Sequence, residues 1–204
     1  MKIICIGRNY VAHAAELGNE VPDVPMIFMK PPSAILNSNK PLYYPDFTQS
    51  IHYEVELVLK ISKNGRHIQP DFADTYYESI GLGIDFTARD LQQLCKEKGH
   101  PWEIAKGWDG SAPLSDEFIP VSDLPNPKSI RFDLQCNGQT VQEGDSALMI
   151  HSFNRIICYV SRFFKLQKGD YIFTGTPAGV GPVKRGDVLT GHIEGRKMLN
   201  CEIR

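Results

Sequence analysis

Three acidic residues have the types and spacing of a metal site. Glu54 and Glu56 are separated by one residue in a segment of alternating apolar residues, so on a strand their side chains point to the same side, about 7 Å apart. Asp85 follows an apolar, glycine-containing segment and precedes a helical pattern, a position at which a rigid scaffold often presents site residues. Three oxygen donors without a Cys or His cluster favour a hard ion, Mg²⁺ first, with Mn²⁺ or Ca²⁺ also permitted. The alternatives are a solvated glutamate pair on a half-exposed strand and an aspartate that caps a helix.

Other polar residues could add acid–base and binding chemistry to such a site. His13 and Glu16 are three residues apart in a helical pattern, so the carboxylate could orient the imidazole and strengthen it as a base. Lys106, in a segment that we interpret as irregular, would stabilise developing negative charge if it lay near the metal. Thr176 in TGTP offers a hydroxyl group near backbone amides, which suits a substrate carboxylate. Each of these residues could instead be an ordinary surface or turn residue.

The elements that position these residues are expected to be mainly strands. Fourteen prolines and seventeen glycines divide the chain into short apolar runs, which is typical of a sheet-rich fold with irregular connections. Strands, in places interrupted by loops and turns, are predicted within 2–6, 21–36, 53–61, 79–85 and 169–195. No repeat or linker divides the sequence, so we expect a single domain over residues 1–204.

Helical periodicity is confined to a few segments. Helices are predicted at 10–17, 87–99 and 146–166, of which the last is the longest. Gly18 is the expected end of the first helix and Gly99 that of the second. Thr87 and Asp90 have the spacing of a capping box at the start of the second helix.

Composition excludes several classes of function. The 204 residues carry a formal charge of −2, which gives no electrostatic reason to expect nucleic acid or an acidic membrane as a partner. The N-terminal apolar run is too short for a signal peptide, and no stretch approaches the roughly 18 apolar residues that span a bilayer, so a cytoplasmic location is predicted. The scattered cysteines are expected to be reduced thiols: Cys5, Cys95, Cys136, Cys158 and Cys201.

Six motifs occur in order along most of the chain, and together they resemble the fumarylacetoacetate hydrolase family. They are GRNYVAHAAE (7–16), FMKPPSAI (28–35), HYEVEL (52–57), GIDFTARDLQ (83–92), PWEIAKGWD (101–109) and GDYIFTGTPAGVG (169–181). The chain length is most similar to that of the small acylpyruvase and oxaloacetate decarboxylase members. The resemblance implies an α+β, predominantly β fold, a mixed β-sheet roll with a few helices, in a protein that is usually dimeric.

The same resemblance implies roles for individual residues. The segment from Arg8 to Glu16 would act as a lid that closes over the substrate. The implied metal ligands are Glu54, Glu56 and Asp85, the catalytic residues His13, Glu16 and Lys106, and the substrate-binding residues Arg8, Arg89, Gln92 and Thr176. Two departures from the family pattern are visible. The loop after Lys106 lacks a second Gly-Pro turn, and a fourth carboxylate ligand has no clear counterpart, so water would complete the metal shell.

The implied reaction is metal-dependent cleavage of a C–C bond in a small 2-oxo acid. Acylpyruvate hydrolysis, oxaloacetate decarboxylation or both would proceed through a metal-stabilised pyruvate enolate. Two enzymatic alternatives stay open, an isomerase or decarboxylase of 2-hydroxyhepta-2,4-diene-1,7-dioate-type intermediates in aromatic breakdown, and an oxaloacetate tautomerase. A non-catalytic binding module is a third alternative, and it requires that the carboxylates be mere surface groups. The expected partners are a 2-oxo acid substrate and a second copy of the chain.

Overall fold

The computed structural model describes residues 1–16, 18, 20–37 and 39–204, and it contains more strand than helix. The strands are β1 (Ile3–Gly7), β2 (Met26–Lys30), β3 (Ile35–Asn37), β4 (Ile51–Tyr53), β5 (Val55–Ile61), β6 (Tyr77–Ile84), β7 (Thr87–Ala88), β8 (Ala112–Leu114), β9 (Ile119–Pro120), β10 (Arg131–Cys136), β11 (Gln139–Asp145), β12 (Tyr171–Phe173), β13 (Gly181–Pro182), β14 (Val188–Ile193) and β15 (Arg196–Glu202). The α-helices are α1 (Val11–Glu16), α2 (Arg89–Lys98), α3 (Glu103–Lys106) and α4 (Phe153–Phe163). The predicted α+β, predominantly β class is therefore confirmed.

The strands are arranged in a mixed main sheet and two smaller sheets. The main, eight-stranded sheet has the order β2-β1-β12-β5-β6-β8-β3, with β9 paired to β6. Its β1–β12 and β3–β8 pairs are parallel, whereas the pairs around β5 and β6 are antiparallel. A four-stranded antiparallel sheet has the order β11-β10-β14-β15, and a three-stranded sheet the order β13-β4-β7. This arrangement matches the mixed β-sheet architecture that the resemblance implies.

The core lies between the two larger sheets. Leu57 and Leu82 of the main sheet belong to the same buried cluster as Leu134 and Leu189 of the four-stranded sheet. On β14, a Cβ at Gly191 would lie 2.4 Å from Cδ2 of Leu82, so the sheets approach too closely there for any side chain. The central strands of the main sheet therefore form a rigid support for the residues at their ends.

The predicted strands that carry the acidic residues are present, with one correction. Residues 53–61 do not form one strand, because the chain leaves β4 of the three-stranded sheet and enters β5 of the main sheet at Glu54. The face that carries Glu54 and Glu56 is buried, not solvated. The strand predicted at 79–85 is β6, and Asp85 directly follows it as expected.

The second helix ends where the sequence predicts, but its predicted capping box is wrong. Gly18 and Gly99 both have positive φ angles, 62° and 65°. Leu17, the last residue of the predicted first helix, lies outside the described residues. Thr87 belongs to β7 and its hydroxyl donates to the carbonyl of Asp85 at 3.3 Å, so it does not cap α2.

The predicted helix at 146–166 is shorter than expected, since α4 begins only at Phe153. Residues 146–148 form a 3₁₀ turn, which is capped by the carboxylate of Asp145, and Met149 then pairs with Tyr10 in an isolated β-bridge. Tertiary pairing thus overrides the helical periodicity of this segment. Lys106, expected in irregular structure, ends the short helix α3. No helix in the described part of the chain combines the length and the apolar character needed to cross a membrane.

Candidate metal centre and pocket

The three predicted metal ligands converge at the ends of β5 and β6. These strands are antiparallel, with Val55 opposite Ile84, and the backbone N–H of Asp85 donates to the carbonyl of Glu54 at 2.8 Å. One carboxylate oxygen from each of Glu54, Glu56 and Asp85 lies within 4.8 Å of the others. Their exposed fractions are only 5%, 2% and 1%. The surface-group alternative, on which the binding-module hypothesis depended, is therefore wrong.

Two of the three carboxylates are paired with cations, of which Lys30 and Lys106 are buried and Arg89 is partly buried. Lys106 Nζ lies 2.8 Å from Glu54 Oε2 and 2.6 Å from Asp85 Oδ2. Arg89 Nη2 lies 2.6 Å from Glu54 Oε1, and Lys30 Nζ lies 2.7 Å from Asp85 Oδ1. Burial alone would raise the pKa of Glu54, but Lys106 and Arg89 hold this pKa well below its usual range. Burial would likewise lower the pKa of Lys106, but Asp85 and Glu54 raise it.

Glu56 is the exception, because it makes no ion pair with any described residue. Its Oε2 accepts a hydrogen bond from the N–H of Gly175 at 2.7 Å. Burial, followed by the neighbouring charge of Asp85, raises the pKa of Glu56 well above its usual value. A divalent cation among the three carboxylates would supply the missing positive charge, and an all-oxygen donor set suits Mg²⁺, Mn²⁺ or Ca²⁺. The residues present therefore fit such an ion.

Lys30 is a site residue that no sequence motif or spacing indicates. Its fully buried Nζ contacts Asp85 and donates to the carbonyls of Phe86 at 3.2 Å, Ser111 at 3.0 Å and Lys106. It thereby joins the end of β2 to the end of β6 and to α3. Within FMKPPSAI, a lysine that ends an apolar strand is a weak signal of burial, but nothing in the spacing connects it with Asp85.

One narrow pocket, of about 30 Å³, opens onto this centre. Nine of the ten predicted site residues line it: Arg8, His13, Glu54, Glu56, Asp85, Arg89, Gln92, Lys106 and Thr176. Arg89 and Gln92 lie one turn apart on α2, and Arg89 Nη1 donates to Gln92 Oε1 at 2.7 Å. The tenth predicted residue, Glu16, is not part of the lining and contacts His13 instead.

The His13–Glu16 pair lies on α1 at the pocket. His13 is buried, and its Nδ1 lies 3.4 Å from Glu16 Oε2, at the long end of hydrogen-bonding distances. The Glu16 carboxylate also accepts from the N–H of Gly179, at 3.1 and 3.2 Å, which ties α1 to the TGTPAGVG loop. Burial lowers the pKa of His13 despite the raising influence of Glu54 and Glu16. His13 is therefore a neutral base at pH 7, and Nε2 is the basic nitrogen when Nδ1 donates to Glu16.

Thr176 is oriented by Gln142, a second site residue that the sequence pattern does not indicate. Gln142, a buried residue of β11, donates from Nε2 to the hydroxyl oxygen of Thr176 at 2.9 Å and to the carbonyl of Pro177 at 3.0 Å. Its Oε1 accepts from the N–H of Val55 at 2.9 Å. The hydroxyl proton of Thr176 is thus available to an acceptor in the pocket. QTVQEGD reads as an ordinary polar strand, so no sequence signal indicates this role.

Gly175 is required by the backbone of the same loop. Its φ is +100°, and a Cβ would lie 2.6 Å from Cβ of Asn9. Asn9 in turn donates from Nδ2 to the carbonyls of Thr174 at 2.8 Å and His151 at 3.0 Å. This packing fixes the Gly175 N–H that holds Glu56, and it anchors the start of the predicted lid.

Comparison with protein families gives one match over nearly the whole chain. The family model described as fumarylacetoacetate (FAA) hydrolase, C-terminal, matches residues 2–204. This agrees with the resemblance drawn from the six motifs.

Characterised relatives and solved structures are similar over comparable lengths. The chain is 40% identical over 201 residues to the mitochondrial oxaloacetate tautomerase FAHD1 of Homo sapiens, covering 98% of this chain and 90% of that protein. It is 39% identical over 198 residues to the oxaloacetate tautomerase YcgM of Escherichia coli, covering 97% and 90%. A crystal structure of fumarylpyruvate hydrolase from Pseudomonas aeruginosa in complex with Mn²⁺ and pyruvate superposes with a TM-score of 0.93 at 39% identity, covering 100% of this chain and 89% of that one.

Proposed function

Because the chain belongs to the fumarylacetoacetate hydrolase family, we propose that residues 1–204 form one catalytic domain of a divalent-metal-dependent enzyme that acts on a small 2-oxo acid through its enol form. The observation that carries this proposal is the buried triad of Glu54, Glu56 and Asp85, in which Glu56 has no cation of its own among the described residues. Mg²⁺ is the proposed ion, with Mn²⁺ or Ca²⁺ as alternatives. A homodimer and a cytoplasmic location stay predictions, and the human relative is named as mitochondrial.

Oxaloacetate is the substrate that we propose first. Decarboxylation of oxaloacetate is the reaction that the motif resemblance implies. Keto–enol tautomerisation of oxaloacetate is supported by the similarity to the relatives in humans and Escherichia coli, which are both named oxaloacetate tautomerases. The two reactions share one requirement, the stabilisation of negative charge on the 2-oxo oxygen as the enol or enolate forms. A site that meets this requirement can support either reaction, and the bond that breaks at C3 distinguishes them. This bond is C3–H in tautomerisation, where His13 takes the proton, and C3–C4 in decarboxylation, where carbon dioxide leaves.

The residues of the pocket suit this chemistry. A bound divalent ion supplies a Lewis acid for the 2-oxo group. Thr176, oriented by Gln142, donates its hydroxyl proton to the 1-carboxylate of the substrate. Lys106 adds a fixed positive charge next to the developing enolate. His13 takes a proton from C3 or returns it, and the Glu16 carboxylate stabilises the imidazolium that forms.

Acylpyruvate hydrolysis is the second candidate. It is favoured by the similarity to fumarylpyruvate hydrolase from Pseudomonas aeruginosa. Here His13 would take a proton from water as the water attacks the distal carbonyl, and the pyruvate enolate would be the leaving group. An isomerase of 2-hydroxyhepta-2,4-diene-1,7-dioate-type substrates stays an alternative, because it would use the same carboxylates.

Proton NMR with one sample per substrate distinguishes these reactions. Enzyme and Mg²⁺ are mixed with oxaloacetate, where faster interconversion of the keto and enol signals reports tautomerisation and pyruvate formation reports decarboxylation. With acetylpyruvate, the appearance of acetate and pyruvate reports hydrolysis.

The proposed metal ligand is tested with two variants in the same assay. Glu56→Gln should lose Mg²⁺-dependent turnover of every substrate, whereas Glu78→Gln, which changes an exposed glutamate on β6, should retain it. Full activity in Glu56→Gln, or no Mg²⁺-dependent reaction of either substrate, would refute the proposed function.

A further inference from the structure

The pocket contains two cations that the proposed chemistry at the metal centre does not require. Four basic residues line it, and two of them, Arg89 and Lys106, are paired with Glu54. The other two, Arg8 and Lys96, make no ion pair within the described ranges of the chain. Partial burial of a cation next to other cations does not stabilise the folded protein. Such an arrangement therefore indicates a site for an anionic ligand.

Lys96 lies on the same face of α2 as two predicted substrate-binding residues. It follows Arg89 by seven residues and Gln92 by four, which is the spacing of one helical face. Arg89 touches the metal centre through Glu54, so Lys96 lies about 10 Å farther along the helix, towards its C-terminal end. The flexible lysine side chain spans part of this distance and reaches the pocket. The side of the pocket formed by α2 thus carries two positive charges, one on Arg89 next to the metal centre and one on Lys96 farther from it.

Arg8 is held in an unusual conformation beside the pocket. It directly follows β1, and its φ of 57° lies in the left-handed region that non-glycine residues rarely adopt. Such conformations are concentrated at binding sites, where the surrounding structure enforces them. Asn9, the next residue, supplies that enforcement through its hydrogen bonds to the carbonyls of Thr174 and His151.

The electrostatic surroundings of Lys96 favour the binding of an anion. Lys96 is half-buried, and burial lowers its pKa, with the positive charges of Arg8 and Arg89 lowering it further. Glu54 acts in the opposite direction, but its own carboxylate is already paired with Arg89 and Lys106. An anion between Lys96 and Arg8 would relieve this repulsion.

We propose that Lys96, together with Arg8, forms a subsite for a second, distal carboxylate, so that the enzyme prefers 2-oxo dicarboxylates to 2-oxo monocarboxylates. This inference rests on the proposed function, because it assumes that the 2-oxo acid end of the ligand lies at the metal centre. The distal carboxylate lies between the wall of α2 and the start of the predicted lid, where Lys96 and Arg8 hydrogen-bond and neutralise it. Lys96 is thereby a specificity-determining residue, and the substrate class becomes the short 2-oxo dicarboxylates.

The test compares two ligands of equal chain length, 2-oxoglutarate and 2-oxopentanoate, which differ only by a terminal carboxylate or methyl group. Their dissociation constants are measured by calorimetry in saturating Mg²⁺, with pyruvate as a third ligand. The unsubstituted protein should bind 2-oxoglutarate at least about tenfold more tightly than 2-oxopentanoate, in keeping with charge-assisted contacts from Lys96 and Arg8. Lys96→Met should remove most of that preference while leaving the affinity for 2-oxopentanoate unchanged, and Lys96→Arg should keep most of it.

Two further variants complete the design. Lys98→Met removes an exposed lysine from the same helix and should leave both affinities unchanged. Arg8→Met should weaken the binding of 2-oxoglutarate selectively, as Lys96→Met does. The subsite is refuted if pyruvate binds but 2-oxoglutarate is not preferred, or if Lys96→Met weakens both ligands equally. Absence of Mg²⁺-dependent pyruvate binding would refute the proposed function itself, and with it the subsite that rests on it.

Discussion

The same substitution at two neighbouring glutamates should change the stability of the metal-free protein in opposite directions. Glu54→Gln removes a charge that is paired with Arg89 and Lys106 at 2.6 and 2.8 Å. Glu56→Gln removes a charge that has no cationic partner among the described residues, and the glutamine oxygen can still accept the N–H of Gly175. We therefore expect Glu54→Gln to destabilise the metal-free fold and Glu56→Gln to stabilise it.

The magnitudes follow from burial and pairing. Breaking a buried ion pair on one side costs about 3–5 kcal/mol, which for a chain of this size lowers Tm by roughly 6–20 °C. The pKa of Glu56 is raised above its ordinary value of 4.5, and each unit of such a rise corresponds to about 1.4 kcal/mol of destabilisation once the group ionises. Removing the charge should therefore raise Tm, by about 2–4 °C for each 1 kcal/mol of destabilisation that it relieves.

The pH dependence has a definite sign. Since the folded pKa of Glu56 is raised, the stability linked to its protonated form is fully present below pH 4.5 and is lost as the pH rises through the folded pKa. The advantage of Glu56→Gln over the unsubstituted protein should thus be small near pH 4.5 and larger at pH 8.

Differential scanning calorimetry of chelator-treated protein at several pH values measures these changes. Addition of Mg²⁺ should then raise Tm for the unsubstituted protein and for the exposed control Glu78→Gln, but not for Glu54→Gln or Glu56→Gln. A loss of stability in metal-free Glu56→Gln as large as that in Glu54→Gln would show that the unpaired-charge reasoning is mistaken.

Three further predictions concern the surroundings of the triad. Lys30→Met should lower the free energy of unfolding in urea by about 3–5 kcal/mol, because it leaves Asp85 without one of its two cations; a change below 1 kcal/mol would contradict the buried pairing. Because the pKa of His13 is lowered from 6.5, kcat/KM should stay constant above that pH and fall only below it, and His13→Asn should remove this acid limb along with at least a hundredfold of the rate. Gly175→Ala should cost about 1–3 kcal/mol and weaken Mg²⁺ binding, which calorimetry would detect, since the new Cβ would clash with Asn9.

The sequence predicts those site residues whose position depends on local geometry. Glu54 and Glu56 are recognisable because a strand places alternate side chains on one side, and Asp85 because a strand end precedes a helix. Lys30 and Gln142 are not recognisable, because they reach the site from strands that are distant in sequence. Their roles depend on which strands become neighbours, and a single sequence does not encode that order in any local pattern.

The elements show the same division between local and tertiary causes. Gly99 ends α2 as predicted, since a left-handed residue after a helix is a local feature. The helix predicted at 146–166 fails over its first turns, because Met149 pairs with Tyr10, which is far away in sequence. The capping box at Thr87 fails because β7 pairs with β4 and holds that residue in extended structure. Periodicity therefore identifies helices, and long-range pairing decides where they begin.

The balance of charge connects the metal centre with the proposed subsite. Once Glu56 ionises to hold a metal ion, the carboxylates of Glu54, Glu56 and Asp85 carry three negative charges. Three cations that contact Glu54 and Asp85 balance this sum: Lys30, Arg89 and Lys106. A divalent ion would then leave the centre with two positive charges, and Lys96 and Arg8 would add two more at the far end of the pocket. A keto dicarboxylate brings only two negative charges, whereas its enolate brings three. The positive charges of the pocket would thus stabilise the enolate more than the keto form of the substrate. Stronger binding of the reacting species than of the ground state is the condition under which binding energy accelerates a reaction.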